Sequence, residues 1–277
     1  MNISTMPKIV GRLIGAITLV FIASACTQKD LSPEAIIQNM HQAYSQMTSY
    51  QDSGGIESST DLWNSKITST TNFSIWFKRP TLLRVDWASL MNPLVPGKKW
   101  GSVLWSDGQD TYSFREYSNE IEKRKSLRNG IIAATGVSMG AANTVPFMLL
   151  PPEHRLGTSF SMLTDLQLLE EAEFEGTQCY VISGKQSGII FKLWIGMDDF
   201  LLRISEWEVK SSKQMEKYIE EKMSKNKDED KIPLPDTSKM PDSSVTTREI
   251  HRDIQINQPI PDNTLTFIPP EDAKLVE

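Results

Sequence analysis

Gly136-Val137-Ser138-Met139-Gly140 has the pattern of a catalytic nucleophile in this 277-residue chain. A serine between two glycines, on a sharp strand-to-helix turn, can present its hydroxyl to a histidine and an acid further on. His251 stands in the order such a triad needs. The surroundings do not fit. No alternating strand–helix series precedes Ser138, and no glycine cluster offers an oxyanion loop. Ile131, Ile132, Ala133, Ala134, Val137, Met139, Ala141 and Ala142 read as helix, where small residues permit close packing. The expectation is a protein without a catalytic site. His41, His154 and His251 are scattered, without a pair at ligand spacing, so no metal or cofactor is expected and exposed or capping roles are. Cys179, in Gln-Cys-Tyr-Val-Ile, lacks a basic neighbour that would make it reactive and reads as a small strand residue.

The other residue with chemistry in reach is Cys26. Lys8 and Arg12 make a basic start, Leu13 to Ile22 is apolar and uncharged, and Ala23-Ser24-Ala25 lead into the cysteine. Residues 1–25 read as a secretory signal, too short for a comfortable membrane span. The small residues before Cys26 resemble the lipobox of bacterial lipoproteins, with Ala23 where leucine is commoner. That resemblance implies that Cys26 becomes the first mature residue and carries a diacylglycerol thioether, often with an N-acyl chain such as palmitate. Each buried methylene adds ~0.8 kcal/mol, so several acyl chains hold a protein on a membrane almost permanently. Thr27, rather than aspartate, follows the cysteine; in a host with two membranes this resembles outer-membrane sorting. The expected location is the cell envelope, on the outer membrane facing the periplasm. Residues 26–31 are then an acylated tether and 32–277 a single domain. A formal charge of −6 without a basic cluster argues against a nucleic-acid partner. With Cys26 acylated, Cys179 has no partner for an intrachain disulfide.

The elements around these residues are mainly strands. Ser32-Pro33-Glu34 predicts a helix start, and Ile36, Ile37, Met40, Tyr44 and Met47 follow as one apolar stripe. Tyr50 to Ser58 reads as a strand with a bulge or bend at Gly54-Gly55. In Asn72 to Trp87, Phe73, Ile75 and Phe77 share one parity and Leu83, Val85 and Trp87 another, on either side of an Arg79-Pro80 turn. A hairpin is expected around Ser106-Asp107-Gly108. Ile121 to Leu150 reads as a helical excursion. Strands resume at 166–174, 177–184, 188–196 and 200–209, and again over 244–256, where Ile250, Ile254 and Ile256 are evenly spaced. Residues 211–241 are a charged, proline-containing insertion. Leu265 to Pro270 is expected as a last short strand. About ten antiparallel strands with one greasy face should curl into an incomplete barrel, with helices over its mouth.

Four stretches resemble one family, the LolA-like carriers of the bacterial periplasm. They are Trp76-Phe77-Lys78-Arg79-Pro80 with Leu83 and Trp87; Val103-Leu104-Trp105-Ser106-Asp107-Gly108-Gln109-Asp110-Thr111; Asn143-Thr144-Val145-Pro146-Phe147-Met148-Leu149-Leu150; and Leu265-Thr266-Phe267-Ile268-Pro269-Pro270. They occur in the family's order and span most of the mature chain. The resemblance implies an incomplete antiparallel barrel lidded by helices, with acyl chains in an apolar cavity. It also implies that the arginine at position 79 hydrogen-bonds toward the lid and helps govern opening. An anchored chain with an insertion at 211–241 departs from a freely diffusing shuttle.

The expected function is therefore that of a non-catalytic, lipid-anchored envelope lipoprotein that binds acyl chains of lipids or lipoproteins for transport or sorting. Phe73, Ile75, Phe77, Val85 and Trp87 are candidate wall residues, with Phe147 and Met148 from the lid and Arg79 as the gate. The alternative is a sensor or scaffold that uses the half-barrel to bind another envelope protein; a hydrolase acting through Ser138 is a further rival.

Overall fold

The computed structural model describes residues 31–62, 65–89, 100–151, 160–210 and 244–276. The stretch read as a secretory signal, with Cys26, the connection at 91–97, His154 and the insertion at 211–241 lie outside these residues.

The chain runs α1 (Pro33–Gln46), β1 (Ser49–Leu62), β2 (Ser65–Lys78), β3 (Leu82–Ser89), β4 (Trp100–Asp107), β5 (Thr111–Arg115) and β6 (Glu120–Arg124). It continues through α2 (Leu127–Thr135), α3 (Thr144–Leu149), β7 (Thr164–Leu168), β8 (Ala172–Phe174), β9 (Thr177–Gln186), β10 (Ile189–Gly196) and β11 (Leu202–Lys210). It closes with β12 (Ser244–Ile256), α4 (Asp262–Leu265) and β13 (Lys274–Val276). The start of α1 is set as the sequence predicts. Ser32 Oγ accepts from Ala35 N at 3.3 Å and Pro33 opens the first turn, leaving Ile36, Ile37, Met40 and Tyr44 on the buried side.

Thirteen strands form one open sheet in the order β13-β6-β5-β4-β3-β2-β1-β12-β11-β10-β9-β7, with β8 on β9. The pairing is antiparallel except between β13 and β6. Cross-strand register puts Phe73 opposite Trp87, Ile75 opposite Val85 and Phe77 opposite Leu83, so all six share one face, here called the inner face. The helices α1, α2 and α3 add their apolar residues to the same core. Gly130 lets α2 lie close on β4 and β5: a Cβ there would stand 2.8 Å from Leu104 and 2.9 Å from Thr111.

Polarity inverts toward the β6 end. The inner parity now carries Ser113, Arg115, Glu120, Glu122 and Arg124, linked by Arg115–Glu120 at 3.1 Å and the Arg124–Glu122 ion pair. The outer face becomes the greasy one. Val103, Trp105 and Phe114 are buried there under Phe267 and Ala273 of the C-terminal segment. Arg84 fastens that segment: its guanidinium lies near the rings of Trp76 and Phe267 and donates to the carbonyls of Thr264 and Thr266 at 3.1 and 3.2 Å.

Several sequence expectations change here. The sheet has thirteen strands rather than about ten. Residues 121–124 belong to strand β6 and not to the helical excursion, because the charges of that strand pair across to β5. Residues 166–174 split into β7 and β8, which pair with different stretches of β9 on either side of Leu169-Glu170-Glu171. Residues 265–270 form no ladder. Prolines at 261, 269 and 270 cannot donate, and the carbonyls of Thr264 and Thr266 serve Arg84 instead.

The bulge also lies elsewhere. Gly54 and Gly55 stay in register, and the extra residue is Asp253 on β12, at φ 52°, opposite the step from Gln51 to Ser53. Ile250 and Ile254 therefore fall on opposite faces despite even spacing: Ile254 and Ile256 pack on the inner core, while Thr247, Glu249 and His251 hold the inner parity before the bulge. Gly54 is needed for closeness, since a Cβ there would lie 2.2 Å from the Ile250 carbonyl and 2.3 Å from the Phe73 ring. At Gly55 the nearest atom would be an ordinary 3.6 Å away. Gly54→Ala is expected to lower stability by roughly 1–3 kcal/mol through overpacking, and Gly55→Ala to leave the urea midpoint nearly unchanged. Equal midpoints for the two variants would contradict this account of the seam.

Candidate functional site

The residues predicted as cavity wall come together. Phe73, Ile75, Phe77, Val85 and Trp87 from β2 and β3 meet Phe147 and Met148 from α3 in one cluster, with Ile36, Met40 and Tyr44 of α1. All are buried, so the inner face is packed with the protein's own side chains. An incoming apolar chain must displace some of them.

The covering helices are held unequally. Arg79 follows β2, with a cis peptide to Pro80. Its backbone N–H donates to the Thr48 carbonyl at 2.9 Å, Nη2 to the Tyr44 carbonyl at 3.0 Å, and Nε to the Met47 carbonyl. These carbonyls belong to the end of α1, whose last turn has no basic residue of its own. A cation there satisfies orphan carbonyls and opposes the helix dipole. The guanidinium also lies 5.4 Å from the Phe77 ring centre. Partial burial draws its pKa down from the usual arginine value. The tie thus runs from Arg79 to α1, not to α2 or α3.

α2 and α3 are joined by the segment holding Ser138. That serine follows a helix, not a strand, and it is buried. Its hydroxyl donates to the Thr135 carbonyl at 3.3 Å and accepts from Ala142 N at 3.1 Å, a turn-stabilising role.

His251 is not exposed or capping, as its sequence context led one to expect. It is 0% exposed on the inner parity of β12, and the bulge at Asp253 leaves it facing Asp52 across the seam. Nδ1 lies 2.6 Å from Asp52 Oδ2, and Nε2 lies 3.3 Å from Glu249 Oε1. Asp52 Oδ2 also accepts from Tyr50 OH at 2.7 Å. Glu249 Oε2 accepts from Thr144 Oγ1 at 2.6 Å and Ser205 Oγ at 3.3 Å. The Phe73 ring meets the imidazole edge-on at 5.3 Å. Burial opposes protonation of His251, yet hydrogen bonds and charge from Asp52 and Glu249 prevail and push its pKa up to about 9. Burial first, and Asp52 second, raise the pKa of both Tyr44 and Tyr50. Sequence reasoning missed this cluster. Its only signal was Thr247, Glu249 and His251 at one parity of a strand read by its isoleucines.

Beside the cluster, a groove of about 500 Å³ opens between the α2–α3 connection and strands β10 to β12. Thr144 and Ser205, which hold Glu249, are in its wall, with Phe191 and Trp207 as aromatic neighbours. The groove is the place where the edge of the helical cover meets solvent, with the polar cluster enclosed behind Thr144 and Ser205.

Since His251 binds its proton more tightly folded than at its ordinary value of 6.5, its contribution is complete below about pH 6.5 and is lost as pH rises through about 9. The melting temperature should fall across that interval, by an amount on the order of 3 kcal/mol in stability. His251→Asn should start less stable and show a flatter profile. A wild-type profile as flat as the variant's would refute the assignment.

No protein-family model and no curated protein matches the chain. Among solved structures it is similar to a LolA superfamily protein from Nitrosomonas europaea, at 12% identity over 86% of this chain and 98% of that one, with a TM-score of 0.29. It is also similar to the lipoprotein LppX of Mycobacterium tuberculosis, at 12% identity over 83% and 97%, TM-score 0.36. A third is a putative outer membrane lipoprotein-sorting protein domain from Vibrio parahaemolyticus, at 11% identity over 83% and 94%, TM-score 0.33. At these identities and scores the likeness assigns no ligand or partner to this chain; it includes the same LolA-like group that the four motifs resemble.

Proposed function

We propose that this chain is a lipid-anchored envelope protein whose sheet and helices act as an incomplete barrel, taking an acyl chain of a lipid or lipoprotein between the α2–α3 cover and the inner face, without catalysis. The observation that carries the reading is the apolar core on the inner face, covered by a short, small-residue helical excursion with a groove at its margin. Energies support exchange rather than permanent occupation. Val145, Pro146, Phe147, Met148 and Leu149 of α3 are buried, and exposing such a set costs roughly 10 kcal/mol, comparable to the gain from burying about a dozen methylenes. Near balance is what a carrier needs. Arg79 keeps α1 in place while α2 and α3 give way. Cys26 would keep the body at the membrane surface.

The reading as a protein-interaction module has one observation in its favour. β7 is an end strand of the sheet, closing on exposed Leu168 with exposed Leu169 next to it. Purification of residues 27–277 followed by lipid extraction and mass spectrometry separates the two. Co-purified acyl lipid near one molecule per chain is expected, with faster release from Arg79→Leu. A lipid-free protein that captures an envelope protein through the β7 edge would favour the module instead.

A further inference from the structure

We infer that the groove between the α2–α3 connection and β10–β12 selects an uncharged, hydrogen-bonding lipid headgroup of the monoacylglycerol or fatty-alcohol type, and rejects anionic ones. This deepens the proposed lipid reading and rests on it.

The argument is one of charge and hydrogen-bond inventory. Among the described residues lining the groove none is charged. Asn143, Thr144, Gln186, Ser205 and Thr247 supply hydroxyl and amide groups, which can donate to or accept from a glycerol or alcohol oxygen. Phe191 and Trp207 lie beside them, suited to the first methylenes of a chain. An anion brought here meets no lysine or arginine among those lining residues. Behind the wall lies instead the enclosed carboxyl group of Glu249, held by Thr144 and Ser205 of that wall, with Asp52 beyond His251. The imidazole cannot serve the ligand, because its two nitrogens face Asp52 and Glu249. Placing a phosphate beside this cluster, where two carboxyl groups surround one imidazole, therefore adds repulsion from the excess acid to the loss of its hydration, with no lysine or arginine among the lining residues to compensate. A cationic headgroup has little to gain, since the Glu249 carboxyl group is fully buried behind Thr144 and Ser205 and out of its reach. Neutral polar groups fit what remains.

The test uses the full chain in non-ionic detergent at pH 7 and two pyrene-labelled probes with the same acyl chain, a monoacylglycerol and its phosphorylated counterpart, lysophosphatidate. The monoacylglycerol is expected to bind at least tenfold more tightly. Gln186→Lys, at the half-buried end of β9, and Thr247→Lys, deeper in the wall, should each narrow or reverse that ratio. Because the ratio is taken within one variant, a general loss of stability does not mimic the effect, and Gln186→Lys is a mild enough change to fold. Binding of neither probe overturns the lipid reading and this inference together. Equal binding or tighter binding of the phosphate overturns the headgroup inference while leaving the lipid reading in place.

Discussion

Asp52, His251 and Glu249 can occupy an apolar interior only as a set. Removing an ion from water costs several kcal/mol even after relaxation, and losing one partner of a buried pair costs about 3–5 kcal/mol. The imidazole between two carboxyl groups, with hydroxyls from Tyr50, Thr144 and Ser205, is the arrangement that makes such burial tolerable here. It constrains much else. Asp52 is on β1, His251 and Glu249 on β12, Ser205 on β11 and Thr144 on α3, so one polar cluster fixes the register of three strands and the seat of a helix.

The cover on the inner face is graded in strength. α1 has a hydroxyl cap at its start, an arginine on its final carbonyls, and Tyr44 beneath, whose hydroxyl accepts from Leu202 N. α3 has no side-chain cap from Asn143, and its specific polar hold on the sheet is the Thr144–Glu249 hydrogen bond. Motion belongs where directional restraints are few and apolar contacts can be exchanged for other apolar contacts. That difference separates a fixed wall from a replaceable one, which is the physical content of the proposed carrier role.

Much of the architecture was legible from alternation alone. Phe73, Ile75, Phe77, Leu83, Val85 and Trp87 lie on the face their parity required, and Asp107-Gly108 turns a hairpin, with Gly108 at φ 94° and Asp107 Oδ1 accepting from Gln109 and Asp110. What failed did so where one residue changes the count. The bulge at Asp253 breaks period two inside a strand, so three evenly spaced isoleucines do not share a side and His251 turns inward. Residues 121–124 were drawn into the alanine-rich run that follows them, because a partner across the sheet, such as Arg115 opposite Glu120, does not show when one strand is read alone. Leu265 to Pro270 looked like a strand, yet Leu265 ends a short helix and the carbonyl of Thr266 goes to a guanidinium and not to a strand. The site was less readable than the fold, since it is assembled from β1, β11, β12 and α3, far apart in sequence.

The seam between β1 and β12 has a consequence for how the molecule comes into being. Thr48 and Asn257 meet beside it although 209 positions separate them. On either side lie meanders of neighbouring strands, β1 to β6 and β9 to β12, that can form from local pairings. Joining them demands closure of a loop containing most of the chain, a slow step by topology alone. Until β12 is available, β1 lacks one neighbour, Asp52 lacks its histidine, and the helical cover lacks the strand that holds Thr144. A chain of this design stays loose while its early strands wait and becomes rigid only when its late strands arrive.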